Sequence, residues 1–273
     1  MYCKFYDLKE KPFNVTSDPS FFFFSNRHRE ALSHLFYGVT QRKGIIVITG
    51  EIGTGKTTLC RYFLNQLGTK NVKTALILNP YFSEIQLLEA ILNDFGVAKK
   101  EKNRVSSLWQ LNDFLLKESR RGNNVVLIID EAQNLDPAQL EQVRLLSNLE
   151  TEKDKLIQII LVGQPELNRR LNLYELRQLQ QRIAVRYHVA PLIREDIKDY
   201  VNHRLRVAGS PDKVNFTEEA LGMVYEFSSG TPRLINILCD RALLAGFASE
   251  TYLIDDAIMN RCLEELSTYF VRQ

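Results

Sequence analysis

The sequence predicts an α/β fold in which a parallel sheet of five strands carries a phosphate-binding loop, with an all-helical domain after it. Three observations lead there. A β-branched apolar run, residues 45–49, leads straight into Gly50-Glu51-Ile52-Gly53-Thr54-Gly55-Lys56-Thr57-Thr58. This is the glycine, four-residue, Gly-Lys-Thr spacing of a loop that cradles phosphates between a strand and a helix. The most apolar run, residues 125–129, ends in Asp130-Glu131. A buried parallel strand with carboxylates at its C-terminal end is where a nucleotide-binding α/β sheet keeps its chemistry. Beyond Pro191 the pattern is helical throughout.

In chain order, residues 1–24 are rich in aromatics, hold two prolines and end in Phe21-Phe22-Phe23-Phe24. Four consecutive rings suit neither an amphipathic helix nor a one-sided strand, so the expectation is core packing or contact with a neighbouring element or subunit. Ser25 is placed to cap a helix whose apolar stripe is Leu32, Leu35, Phe36 and Val39. Gly44 opens strand one. After the loop, Leu59, Tyr62, Phe63 and Leu67 share a helical face that Gly68 ends. Residues 74–79 read as a second buried strand stopped by Pro80. Helices follow over 83–95 and 108–119, then strand three at 125–129 and a helix over 137–149. Strand four spans 156–163 with Gln164 at its tip, and a short fifth strand spans 184–189. The helical remainder divides into pieces near 195–207, 217–227, 232–248 and 254–269, with Thr217-Glu218-Glu219-Ala220 as a capped start. The expected domains are 1–190, an N-terminal segment plus the α/β core, and 191–273, a helical domain.

Composition narrows the function classes. The chain is 45% hydrophobic and 25% charged, which is globular, and a net charge of +2 gives little support to a protein that coats nucleic acid. The basic run at residues 99–104 and Arg169-Arg170 leave room for a local contact with DNA or a partner. Cys3, Cys60, Cys239 and Cys262 lie far apart without zinc-ligand spacing and read as reduced thiols of a cytosolic protein. The first residues lack the features of a signal peptide, and no stretch approaches the ~18–20 apolar residues that span a bilayer, so a soluble chain is expected.

The loop carries definite chemistry. Backbone N–H groups across Gly50, Glu51, Ile52, Gly53, Thr54 and Gly55 converge on phosphate oxygens, Lys56 reaches the β/γ-phosphates, and the Thr57 hydroxyl completes a Mg²⁺ shell. The helix that begins there, through Thr58, points its positive end at the anion. Asp130 can hold Mg²⁺ directly or through water, and Glu131 can orient or deprotonate the attacking water. Gln164 sits beside the loop if strand four lies between strands one and three. There it senses a γ-phosphate or positions water, the alternative being an ordinary turn residue before Pro165. ATP and Mg²⁺ are the implied cofactors.

This order of elements resembles the AAA+ ATPases over almost the whole chain. More narrowly, several blocks look like the general secretion pathway protein A family, which includes the ATPase of the type II secretion accessory complex and a shorter relative from type IV pilus assembly. The blocks are Phe13, residues 19–24, His28-Arg29-Glu30-Ala31-Leu32, the loop, Asp130-Glu131-Ala132-Gln133-Asn134-Leu135, Leu145-Leu146-Ser147-Asn148-Leu149-Glu150, Gly163-Gln164-Pro165-Glu166-Leu167 and Gly230-Thr231-Pro232-Arg233-Leu234-Ile235-Asn236.

The resemblance implies an AAA+ core with a C-terminal lid that hydrolyses ATP. Lys56 and Thr57 match the phosphate and Mg²⁺ ligands, Asp130 the second Mg²⁺ contact, Glu131 the catalytic acid, and Gln164 the sensor-1 position. Arg182 matches an arginine finger that enters the neighbouring subunit's site, with Arg177 second, and Arg233 matches sensor 2. Asn79 matches a polar residue that restrains the catalytic glutamate until a partner binds. The family implies a homo-oligomer, a ring or a nucleotide-dependent assembly, that drives assembly of an envelope secretion or pilus system. Its place would be the cytoplasm at the inner face of the inner membrane, beside an inner-membrane component. Secretion-type members continue into a membrane span and a peptidoglycan-binding domain that do not occur in this sequence, so a standalone pilus-type protein or a fragment is expected. A DNA-binding AAA+ regulator of the transposition or replication-initiator type is the alternative, as is a nucleotide-gated scaffold that barely hydrolyses ATP. A superfamily-2 helicase fits poorly, because Gly-Gln-Pro-Glu stands where Ser-Ala-Thr is expected.

Overall fold

The computed structural model describes residues 1–68, 71–97, 103–152, 154–209 and 213–270, with the side chains of 267–270 excepted. The chain divides into two units: His28–Ile52 with Lys56–Val189, and Met1–Arg27 with Gly53–Gly55 and Ala190–Gln273.

The first of these is the α/β core. Its strands are β1 (Ile45–Gly50), β2 (Val72–Ile77), β3 (Asn124–Ile129), β4 (Gln158–Gly163) and β5 (Ile183–Val189). They form one sheet in the order β2-β3-β4-β1-β5, with every neighbouring pair parallel. The three central strands are buried almost without interruption, as near-continuous Val/Ile/Leu runs covered on both faces must be. Strand β2 corrects the expectation of a buried strand over 74–79. It starts at Val72, ends at Ile77, and buries only Ala75 and Ile77, because an edge strand flanked only by β3 lacks the second neighbour that encloses the central ones. Its edge is blunted where the Leu76 N–H donates to Asp94 Oδ2 at 2.6 Å. Asn79 at φ 51° lies in the left-handed region and ends the extended chain two residues earlier than expected.

Local signals account for the core helices. Glu84–Asp94 and Pro137–Leu146 both begin in capping boxes, Ser83 with Gln86 and Asp136 with Gln139. The second of these stops three residues short of the expected end. Arg104–Arg120 begins four residues earlier than expected, because the Asn103 side chain accepts the Ser106 N–H at 2.8 Å and caps it. Of the basic run, Arg104 donates to Gln142 Oε1 at 2.9 Å and pairs with Glu84 at 3.1 Å. Residues 99–102 lie outside the described residues.

The second unit holds the helices Tyr2–Phe5, Asp196–Val207, Glu218–Ser228, Pro232–Ala248 and Asp256–Phe270. It is not wholly helical: β6 (Asn215–Phe216) pairs in parallel with β7 (Leu253–Ile254). Residues 1–27, expected with the α/β core, group here instead. Tyr2, Tyr6, Phe13 and Phe21 share a buried cluster with Ile197, Leu205, Leu238 and Leu243. The Tyr6 hydroxyl lies 3.1 Å from both the Leu243 and Thr251 carbonyls. Arg204 donates to the Pro12 carbonyl at 2.5 Å and the Asn14 carbonyl at 2.9 Å, and its guanidinium lies 4.5 Å from the Phe21 ring centre. Phe21 and Phe22 are buried, and Phe23 packs edge-on to Tyr200 at 5.6 Å. The aromatic run is thus packed within its own chain. Among the described residues no helix is long and apolar enough to cross a membrane.

Candidate functional site

The sheet order places β4 between β1 and β3, so three adjacent strands end side by side at one edge. Beyond β1 stands the loop, beyond β3 the acid pair, and beyond β4 Gln164. The loop turns on Gly53 at φ 81° and Gly55 at φ 90°, conformations that a side chain resists. The helix Lys56–Leu67 then starts at the lysine itself. Lys56 is buried, and its ammonium donates to the Gly50 carbonyl at 2.8 Å and the Glu51 carbonyl at 2.9 Å. Burial pulls its pKa below the usual lysine range, against the carboxylates of Glu131, Asp130 and Glu51. An ammonium has three donors, and two of them hold the loop's own backbone.

Asp130 is buried behind the loop. The Thr57 hydroxyl donates to its Oδ2 at 2.6 Å and the Glu131 N–H to its Oδ1 at 2.9 Å. Burial raises its pKa above the usual aspartate range, the two hydrogen bonds oppose that, and the Lys56 ammonium offers the smallest relief. A desolvated carboxylate beside a hydroxyl is a hard-oxygen donor set short of positive charge, and it fits Mg²⁺.

Glu131 follows in the left-handed region at φ 53° and ψ 37°, a strained backbone for a non-glycine residue at a site. Its Oε2 accepts from Gln133 Nε2 at 2.5 Å and from Gln164 Nε2 at 3.3 Å. Gln133 Oε1 in turn accepts the Gln164 backbone N–H at 3.0 Å. The expectation for Asn79 does not hold: its amide oxygen takes Asn134 Nδ2 at 3.3 Å, and Gln133 is the side chain that holds Glu131. The left-handed turn at Asn79 accompanies this change of partner. Sequence reasoning passed over Gln133, although it stands in the block quoted for the resemblance. It also passed over Thr49, the buried polar residue of β1, which lies 3.2 Å from His188 Nδ1 and accepts from Asn168 Nδ2 at 3.3 Å beneath the loop. A threonine in an otherwise aliphatic strand was its one visible signal.

The arginines differ in their settings. Arg182 is half-buried and immediately precedes β5, whose register runs from Ile183 opposite Ile45 to Val189 opposite Gly50. At about 3.3 Å per residue it stands roughly 20 Å from the loop end of the sheet. Arg177 is exposed and stacked over the Tyr174 ring at 4.3 Å. Arg170 donates to the Leu135 carbonyl at 2.7 Å. In the other unit, the Arg233 N–H donates to the Gly53 carbonyl at 3.2 Å, and a Cβ on Gly53 would come within 2.7 Å of Arg233 Cβ.

The chain matches the AAA domain family over residues 39–171. It is 46% identical over 255 residues to general secretion pathway protein A of Aeromonas hydrophila, an alignment covering 93% of this chain and 46% of that protein. The chain therefore spans less than half the length of that relative. Among solved structures, it is similar to the Aeropyrum pernix ORC2 protein in ADPNP–ADP complexes, with TM-score 0.65 and 16% identity over 86% of this chain and 66% of that one. It is also similar to the Thermotoga maritima RuvB Holliday junction branch migration motor, with TM-score 0.60 and 19% identity over 89% and 70%. At those identities the two structures speak for the fold alone, which is the P-loop AAA α/β fold.

Proposed function

Because the chain carries an AAA domain and resembles general secretion pathway protein A over 93% of its length, we propose that it binds ATP with Mg²⁺ at residues 50–58 and hydrolyses it. Lys56 and the loop N–H groups hold the phosphates, and Thr57 and Asp130 hold the metal. The metal supplies neutralisation of charge on the phosphate oxygens. Glu131 orients or deprotonates the attacking water, and Gln164 positions it or senses the γ-phosphate. Arg233 approaches the nucleotide from the same subunit. Arg182 acts in a neighbouring subunit's site, a role supported by its distance of a whole strand from its own loop. The active species is then a homo-oligomer, a ring or a nucleotide-dependent assembly. Its work is to drive assembly of an envelope secretion or pilus system, from the cytoplasm, at an inner-membrane component.

The observation that carries this reading is the convergence of Thr57, Asp130, Glu131 and Gln164 in one hydrogen-bonded group behind the loop. Of the basic residues that suggested a DNA-binding alternative, Arg104 and Arg170 are engaged in hydrogen bonds within the chain. The test is ATP binding and turnover measured side by side. Lys56→Ala is expected to lose nucleotide binding, and Glu131→Gln to bind ATP and retain it. Unchanged turnover in Glu131→Gln would sink the role given to that acid.

A further inference from the structure

We infer that Gln133 is the positioning residue for the Glu131 carboxylate, fastening it to the tip of β4. This rests on the ATPase reading above and deepens it. The geometry leaves the Gln133 amide one orientation. Its Oε1 faces the Gln164 backbone N–H at 3.0 Å, a donor, so its NH₂ group must face Glu131 Oε2 at 2.5 Å. The side chain is buried, at 8% exposure. It is bridged at both ends, whereas Gln164 Nε2 reaches the same carboxylate oxygen only at 3.3 Å. Space for the amide comes from Gly163, where a Cβ would lie 2.8 Å from Gln133 Oε1 and 3.2 Å from the Gln133 backbone nitrogen. With two N–H donors on Oε2, Oε1 is the oxygen left to meet water. Gln133 thus selects which face of the carboxylate works, and the Gln164 backbone makes that choice depend on the strand whose tip carries Gln164. Asn79, turned to Asn134, has no part in it.

The test compares Gln133→Leu, Gln133→Glu and Glu131→Gln with the unaltered chain, using ATP affinity, kcat and KM across pH. Gln133→Leu is expected to lower kcat on the order of 10–100-fold, as misplacement of a reacting group by about 1 Å does, with ATP affinity unchanged. Gln133→Glu sets a second carboxylate against Glu131. Protonated, that carboxyl regains an O–H donor, so its kcat recovers as pH falls while that of Gln133→Leu does not. A merely structural role predicts no such recovery. Crystal structures of the nucleotide-free protein and Gln133→Leu give a readout independent of turnover: the Glu131 carboxylate is expected to shift on the order of 1 Å. Wild-type kcat in Gln133→Leu, or an unmoved carboxylate, overturns the inference. Turnover absent from the unaltered chain overturns the ATPase reading instead, turnover that survives in Glu131→Gln overturns the role given to that acid, and in either case the carboxylate position then decides the role of Gln133.

Discussion

Gly163→Ala offers a perturbation whose size can be worked out from the structure. The backbone at Gly163 does not lie in the left-handed region, so alanine is conformationally allowed and the effect is one of contact alone. The new methyl would sit 2.8 Å from Gln133 Oε1, against 3.4 Å or more for an ordinary contact. It would also lie 3.1 Å from Leu167 Cδ2 and 3.2 Å from the Gln133 nitrogen. The flexible amide gives way first. Retreating by roughly half an ångström, it releases the Gln164 N–H, a loss of about 0.5–1.5 kcal/mol, and loosens a charge-assisted bond to Glu131 of about 1.5–3 kcal/mol. Part of this is regained from water, so a net destabilisation of about 1–3 kcal/mol is expected, a lowering of Tm by roughly 3–10 °C. Turnover should fall with it by at least about tenfold. The assay pairs thermal unfolding without nucleotide with ATP turnover, repeated in a Gln133→Ala background. There the Oε1 contact no longer exists, and the further loss on adding Gly163→Ala should shrink. An equal loss in both backgrounds, or wild-type Tm and turnover in Gly163→Ala, would refute the reasoning.

Other perturbations test separate parts of the account. In Gly230→Ala, a Cβ at φ 76° would lie 1.9 Å from the Leu192 carbonyl oxygen, a main-chain clash that cannot relax. A loss of about 2–4 kcal/mol is expected in urea denaturation, and a midpoint equal to wild type contradicts it. Burial lifts the Tyr6 phenol from 10.0 to about 12. A folded pKa above the unfolded one adds stability that is complete below pH 10 and lost between 10 and 12. Tyr6→Phe should therefore flatten alkaline unfolding in that window by about 1–2 kcal/mol after solvent screening, which stability curves across pH will detect. Thr57→Val removes the hydroxyl that meets Asp130 at 2.6 Å. It should weaken Mg²⁺-dependent ATP binding more than Mg²⁺-free binding in paired titrations.

Much of this architecture was legible because local chemistry and global position coincide. The central strands are continuous apolar runs, the loop has a fixed spacing, and Asp130-Glu131 terminates the most apolar strand. Where the reading fell short, the cause was tertiary. The edge position of β2 cannot be seen in residues 72–77 themselves, and the capping that starts the helix at Arg104 depends on one asparagine rotamer. The N-terminal aromatics read as core but not as whose core. Their partners, such as Leu243 and Thr251 for Tyr6, lie more than 230 residues away. In the candidate site, Lys56, Thr57, Asp130 and Gln164 could be singled out by type and spacing, and the structure brings Thr57 to Asp130 and Gln164 to Glu131. Gln133 was not singled out, since a glutamine two residues after an acid becomes meaningful only when β4 brings Gln164 against it.

The central claim is a site completed between subunits, and complementation tests it most directly. Glu131→Gln keeps Arg182 but lacks the carboxylate proposed to activate water, and Arg182→Ala keeps that carboxylate but lacks the arginine. Each alone is expected to turn over ATP poorly, Glu131→Gln because no group orients or deprotonates the attacking water and Arg182→Ala because an arginine finger contributes roughly 10³–10⁵ in rate. Mixed, they should regain turnover, since one interface then joins an intact Glu131 to an intact Arg182. A mixture no more active than its two components measured separately contradicts the claim.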